Sequence, residues 1–343
     1  MNPITVSVII PAYNASATIG RTLAALKTQD YSGGFEVIVV DDGSSDQTAS
    51  IVSSLAGVRY ARQDNAGPAS ARNHGARLAQ GEFLAFTDSD CVPHPDWLSQ
   101  LMAGFTVVGE GPKLSRTEGP KPSSLGVVAG SYGIANPESL LAWCVWKEII
   151  WRHVHCMPDF PNAFGSYNFC VKKNVFEAVS GFNSDYLHAS GEDNDLSYKM
   201  TESGWQIYFQ RQAVVDHYHP TSVVRYLREQ FRHGFWRLKM YRDHPRMMRG
   251  DGYTYWKDIV EIPWAGGIVL GGPVLGVAGF SQAAYLLLFS FLIFEILFAI
   301  LVTDRFFRGI FFGFILFFRA FARMFGFSTG IVSLGSKKVK KKF

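Results

Sequence analysis

Cysteine is scarce in this chain. The 343 residues carry four, Cys91, Cys144, Cys156 and Cys170, and their spacing matches no metal-ligand pattern. So few cysteines in so long a chain give no disulfide framework and favour a reduced, cytosol-facing polar part. The start, Met-Asn-Pro-Ile-Thr-Val-Ser, lacks the basic opening and long apolar core of a secretory leader, and nothing in it directs export. Acids almost vanish after Ile262, where hydrophobic residues, glycine and phenylalanine crowd together, whereas residues 1–245 have the composition of a soluble globular protein. The net charge of +4 is modest. Basic residues nevertheless cluster at Arg225–Arg249, Arg305–Arg323 and Lys337–Lys342, beside apolar segments, which suits the anionic headgroups of a bilayer and excludes nucleic acid as the expected partner.

What is present is a series of short apolar runs that each stop at polar residues. Val6–Ile10 ends at Pro11, and Ala12-Tyr13-Asn14-Ala15-Ser16 leads into a segment with Ile19, Leu23 and Leu26 at helical spacing. Phe35–Val40 ends in Asp41-Asp42-Gly43-Ser44-Ser45-Asp46, and Val58–Ala61 leads through Asn65-Ala66-Gly67-Pro68 to a helix carrying Arg72. Phe83–Phe86 stops at Asp88-Ser89-Asp90. Uniformly apolar strands alternating with helices predict an α/β fold whose parallel sheet is covered on both faces. Such a sheet brings Tyr13, Asp41, Asp42 and Asp88 to one edge, where open α/β sheets bind ligands. Asp88 and Asp90, one residue apart, can hold a single Mg²⁺ or Mn²⁺ whose remaining positions go to phosphates; the alternative is a polar turn with two solvated aspartates. One of Asp41 and Asp42 can cap the next helix, leaving the other for a ribose hydroxyl or a base N–H.

Together the segments Val-Ser-Val-Ile-Ile-Pro-Ala-Tyr-Asn, Val-Val-Asp-Asp-Gly-Ser-Ser-Asp, Asn-Ala-Gly-Pro-Ala-Ser-Ala-Arg-Asn and Phe-Thr-Asp-Ser-Asp resemble the family 2 glycosyltransferases of GT-A fold. The resemblance implies a nucleotide-diphosphate sugar as donor. Pro11, Tyr13, Asn14, Asp41 and Asp42 would then hold the base and ribose, Arg72 and Ser89 would contact the nucleotide, and Asp88 with Asp90 would hold a metal-bound diphosphate. In Ser190-Gly191-Glu192-Asp193-Asn194-Asp195 the acids also suit the first turn of a helix; the resemblance gives Asp193 the role of catalytic base, with Glu192 as its neighbour. Asn162–Val171, including Gly165 and Asn168, resembles the acceptor-side segment, to which His219 and Arg225 would add. Ala213–Pro220 reads as a strand with His217 and His219 on one face, and His217 is the candidate third metal ligand or phosphate contact.

Pro95–Phe105 reads as a helix and Glu110–Ser124 as a loop. Leu140–His155 is helical, with Trp143, Trp146, Ile150 and Trp151 either in a core or on a membrane- or sugar-facing surface. Thr221–Arg249 interleaves arginines with aromatics, as an amphipathic element at a headgroup layer does. Its Gln230-Phe231-Arg232-His233-Gly234-Phe235-Trp236 departs from the Gln-x-x-Arg-Trp spacing of processive polysaccharide synthases, against processive synthesis. Trp264–Phe280 and Ala283–Val302, about 17 and 20 apolar residues, predict a transmembrane hairpin, in which Glu295 is either paired or functional. Arg305, Arg308, Arg319 and Arg323 share one stripe at about 100° per residue, which predicts an interfacial helix rather than a third span.

The expected layout is a GT-A domain over 1–220, basic aromatic membrane-proximal helices over 221–262, a transmembrane hairpin over 263–303, and an interfacial helix with a lysine-rich tail over 304–343. The expected protein is a membrane-anchored enzyme with a cytoplasmic catalytic domain, moving a sugar with inversion to a membrane-proximal, lipid-linked acceptor. The alternatives are a polyprenyl-phosphate glycosyl synthase and a catalytically silent nucleotide-binding scaffold.

Overall fold

The structure, a computed structural model, describes residues 3–109, 124–186, 191–249 and 255–335. The lysine tail and the expected loop, apart from Ser124, lie outside the described residues. The elements run β1 (Ile4–Ala12), α1 (Ile19–Lys27), β2 (Gly34–Asp41), α2 (Thr48–Ser53), β3 (Val58–Arg62), α3 (Pro68–Leu78), β4 (Phe83–Thr87), β5 (Cys91–Pro93), α4 (Trp97–Gly109), β6 (Leu125–Ile134), α5 (Leu140–His155), β7 (Asn168–Lys172), α6 (Lys173–Ala178), α7 (Glu192–Glu202), β8 (Gln206–His217) and α8 (Val223–Asp243). Three long helices follow: α9 (Trp256–Val277), α10 (Ser281–Thr303) and α11 (Phe306–Gly335).

Two compact units share the chain, Met1–Ala135 with Met157–Tyr218, and Asn136–Cys156 with His219–Phe343. The first is α/β, with one sheet in the order β3-β2-β1-β4-β7-β6-β8-β5. The four strands expected to be parallel are so, β1 pairing with β2 and β4, and β2 with β3. Val6, Val8, Ile10, Val37 and Val39 are buried on one face and Ile9, Ile38 and Val40 on the other, as uniformly apolar strands covered on both faces should be. β7 then runs antiparallel to β4 and β6, whereas β6 and β8 are parallel. Thr87 lies opposite Asn168, and His217 opposite both Ile134 and Cys91. The ends of β1, β2, β4, β6 and β8 and the start of β7 therefore meet at one edge.

The second unit is helical and includes α5, which the sequence reading assigns to the first domain. The reason is the apolar face of α5: Leu141, Cys144 and Val145 share a buried cluster with Phe298, Val302, Phe312 and Leu316. Ser139 caps α5 by accepting from the Ala142 amide, and Ser222 does the same for α8 from Arg225. Helices α9, α10 and Phe306–Ser333 of α11 are each long and apolar enough to cross a membrane.

The arginine stripe of α11 differs from expectation. Arg319 is buried and pairs with Glu148 at 2.6 Å and Glu261 at 3.4 Å. Arg323 pairs with Glu261 at 2.6 Å and Asp258 at 3.2 Å, and donates to the Gln230 side chain. Arg308 lies over the Trp143 ring. Arg308 is otherwise exposed, whereas Arg319 and Arg323 face protein, because α5 and α9 carry acids that the periodicity of α11 alone does not reveal. Glu295 is paired with Lys257 at 2.7 Å. Helix α8 lies against α11: a Cβ at Gly234 would meet the Arg323 carbonyl oxygen, and one at Gly326 the Phe231 carbonyl oxygen.

Candidate active site

At the shared sheet edge the chain leaves β4 at Thr87 and places Asp88 and Asp90 in the turn before β5. Arg72, on α3, is buried and donates to Asp88 Oδ1 at 2.7 Å and to Glu192 Oε1 at 3.1 Å, with Asp193 Oδ1 at 3.9 Å. Its guanidinium also lies over the Phe182 ring. Desolvation would lower the Arg72 pKa, yet Asp88, Asp193 and Glu192 hold it above its ordinary value, so it stays charged. The Asp88 carboxyl is raised by burial, pulled down by Arg72 and pushed up by Asp90 and Asp193.

Glu192 and Asp193 open α7, where acids complement the helix dipole. Glu192 is buried, whereas the Asp193 side chain is 28 % exposed. Ser166 donates to Asp193 Oδ1 at 2.6 Å. A carboxylate oriented by a hydroxyl and partly open to solvent can accept a proton from a substrate hydroxyl.

A second corner forms where β5 and β8 meet. His217 Nε2 lies 3.4 Å from Asp90 Oδ1, and these two with the Cys91 thiol bring their donor atoms within 4.8 Å of one another. Burial, then Asp90 and Asp88, push the Cys91 thiol well above its ordinary pKa. Carboxylate and imidazole donors fit Mn²⁺, and carboxylate fits Mg²⁺. Asp90 and His217 are brought together as the sequence reading expects, while Asp88 faces Arg72.

The third corner holds the nucleotide candidates. Pro11 and Asp41 lie near the ends of the paired β1 and β2, and Tyr13, just beyond β1, is 55 % exposed. Asn14 adopts a left-handed conformation, φ 49°, and its Oδ1 accepts from the Ser45 amide. Both aspartates have protein partners. Asp41 accepts from the Ser44 amide, Tyr60 and Arg62, and Asp42 accepts from Gln63 and from the Ala66 and Gly67 amides. Neither is the unbonded carboxylate that the sequence reading leaves over. Ser89 contributes its carbonyl oxygen to the Thr22 hydroxyl.

Comparison with known proteins gives the family. The model of glycosyl transferase family 2 matches residues 7–107. The glycosyltransferase AglE of Haloferax volcanii is 30 % identical over 238 residues, covering 67 % of this chain and 71 % of that protein. The chain belongs to glycosyl transferase family 2. Validoxylamine A glucosyltransferase of Streptomyces hygroscopicus is 30 % identical over 230 residues, 58 % of this chain, and the chain spans 51 % of that relative's length. Among solved structures, the mannosyltransferase PcManGT of Pyrobaculum calidifontis, in complex with GDP-Man and Mn²⁺, is similar at a TM-score of 0.48 and 21 % identity over 70 % of this chain and 65 % of that one.

Within this family 2 glycosyltransferase the expected acceptor-side residues scatter. Asn168 is completely buried: its amide donates to the Ser131 and Ala213 carbonyls and its Oδ1 accepts from Trp97. It joins β6, β7, β8 and α4 and presents nothing to an acceptor, a correction the apolar surroundings of its strand explain. Gly165 does sit by Asp193, since a Cβ there would lie 3.7 Å from Asp193 Oδ2. His219 and Arg225 belong to the helical unit, His219 buried with its backbone bonded to Asn136, and Arg225 exposed and paired with Glu229. The sequence reading missed Ser166, Gln63 and the ring of Phe182. Phe182 lies 110 positions from Arg72, and only folding puts its ring under the guanidinium.

Proposed function

We propose that the chain transfers one sugar from a nucleotide-diphosphate sugar to a membrane-proximal, lipid-linked acceptor, with inversion at the anomeric carbon. One observation carries this reading: Arg72 gathers Asp88 from the donor side and Glu192 with Asp193 from the base side into a single cluster. Asp193, oriented by Ser166, takes the proton of the acceptor hydroxyl as its oxygen attacks the anomeric carbon. The diphosphate leaves from the opposite face, and a single displacement inverts the centre. Asp90 and His217, with Asp88 beside them, would hold a Mn²⁺ or Mg²⁺. Such a cation would neutralise charge building on the leaving diphosphate. Tyr13, Asn14 and Pro11 frame the position of the base. The departure from the processive motif at Gln230–Trp236 supports single transfer.

The anchor supports the acceptor class, because an active unit tethered to a bilayer meets lipid-linked acceptors at high effective concentration. The α/β unit would lie on the cytoplasmic side, where basic clusters collect. Helix α11 would lie in the interface; its partner α8 carries Arg225, Arg228, Arg232, Arg237 and Arg242, too polar for the hydrocarbon. In sealed cells, Val332→Cys should be labelled only when an impermeant reagent reaches the face that labels Ser54→Cys, at an exposed position of the α/β unit. Labelling from the opposite face would make α11 a third span.

The function is tested by incubating the purified chain with Mn²⁺, labelled nucleotide sugars, and either bare polyprenyl phosphate or a polyprenyl-diphosphate-linked sugar. Transfer to the linked sugar is expected. Product on the bare phosphate alone would make the protein a polyprenyl-phosphate glycosyl synthase, and no product with either would remove the reading.

A further inference from the structure

Between the cation corner and the base stand two tyrosines that the chemistry above leaves without a role. Tyr132, on β6, and Tyr167, just before β7, stack with ring centroids 3.5 Å apart and planes 8° from parallel. Tyr132 meets the His217 imidazole edge to face at 5.2 Å, and His217 pairs with Asp90. At the other end Tyr167 follows Gly165 and Ser166, the latter bonded to Asp193. Phe164 packs against Tyr167 at 5.8 Å. A continuous run of contacts thus leads from His217 through both rings to the loop that touches the base. Both tyrosines are half-buried.

We infer that this stacked pair is the wall against which the transferred sugar ring packs, which makes Tyr167 a residue that sets donor affinity and sugar preference. The inference rests on the proposed reading of the site. In a direct displacement the anomeric carbon lies between the leaving diphosphate oxygen and the attacking oxygen held at the base, so the sugar occupies the space between the two corners. The tyrosine pair, half-buried and packed on one side against the strand core, carries the run of contacts between those corners. The C–H groups of a pyranose are apolar, and a tyrosine ring offers them a large, stiff surface whose ordering costs little conformational entropy. Stacking removes most of the freedom that remains.

Gly165 is part of the arrangement. A Cβ at that position would lie 2.5 Å from Cε1 of Tyr167, inside the ring's van der Waals surface. Any side chain there must push Tyr167 out of the stack. The glycine therefore keeps the ring in place beside Asp193.

The test measures the affinities of UDP, GDP, UDP-glucose, UDP-N-acetylglucosamine and GDP-mannose by calorimetry, with Mn²⁺, on the full chain in detergent. The sugar's contribution is the ratio of the affinity of a nucleotide sugar to that of its bare diphosphate. Tyr167→Ala should weaken the preferred nucleotide sugar on the order of tenfold while leaving its nucleoside diphosphate within about twofold. Tyr167→Phe should keep the wild-type ratio, because the ring and not the hydroxyl does the packing. Gly165→Ala should share the selective loss. An unchanged ratio in Tyr167→Ala, a wild type in which the sugar adds nothing, or equal weakening of both ligands would each overturn the inference while leaving the nucleotide site in place. A wild type that binds none of the five would remove the site reading itself, and this inference with it.

Discussion

The two units each gather charged side chains, and the balance differs. In the α/β unit, Arg72 faces Asp88, Glu192 and Asp193, with Asp90 and His217 close by. The acids outnumber the fixed cations, and Asp88 and Asp193 keep side-chain exposures of 29 % and 28 %. In the helical unit, Glu148, Asp258, Glu261 and Glu295 meet Arg152, Lys257, Arg319 and Arg323, one cation for each acid. All but Arg323 are buried. A balanced, dry set is a clamp, since every charge has its counter-charge within the protein and removing one leaves another stranded. An unbalanced, partly wet set has a use for a mobile cation and a proton, which is what a site for a diphosphate leaving group and an acceptor hydroxyl requires.

Four single variants, and one double, sharpen or break that contrast. The largest effect should come from Asp193→Asn, which removes the proposed base without touching Arg72's bonds to Asp88 and Glu192. Turnover should fall roughly 10²–10⁴-fold with nucleotide affinity retained. Wild-type turnover in this variant would move the base to Glu192. In the clamp, Arg319→Met should lower stability by about 3–5 kcal/mol, read as a drop in thermal midpoint in detergent, because Glu148 loses a buried partner. Adding Glu148→Gln to that variant should recover part of the loss. Were the single variant to melt like wild type, the helical charges would not be a clamp. Asp90→Ala should weaken Mn²⁺-dependent nucleotide binding on the order of tenfold, and equal affinity with and without Mn²⁺ in the wild type would remove the metal from the site. The smallest effect belongs to Ser166→Ala, which takes one hydrogen bond from the base and should reduce turnover roughly three- to tenfold at unchanged donor affinity. A parallel loss of donor affinity would show that Ser166 supports the fold of the site rather than the base.

Much of the α/β unit was legible before folding was considered. Strands as continuously apolar as Val6–Ile10 and Phe35–Val40 have few alternatives to a covered parallel sheet, and their polar ends mark the ligand edge. Asp88, Asp90 and Asp193 could be named from short ordered motifs. The partners of those residues could not. Ser166 is separated from Asp193 by 27 positions and Arg72 from Glu192 by 120, and local patterning carries no information over such distances. Asn168 shows the converse failure: a polar residue beside an acceptor-like motif reads as functional, yet a buried amide that satisfies two carbonyls and an indole is a structural bolt.

The helical unit marks the boundary most clearly. Periodicity alone places Arg308, Arg319 and Arg323 on one stripe of α11, with Arg305 just ahead of its first residue, and hydropathy alone marks the apolar helices before it. What that stripe faces depends on Glu148, Asp258 and Glu261, carried by helices that begin far earlier in the chain, and the stripe has the same spacing whether acids or lipid phosphates cover it. The sequence by itself determined which residues are apolar, which are charged and which lie on a common face. Only the tertiary structure decided which charges neutralise one another, because that choice rests on distances between elements and on the exclusion of water, and neither exists until the helices pack.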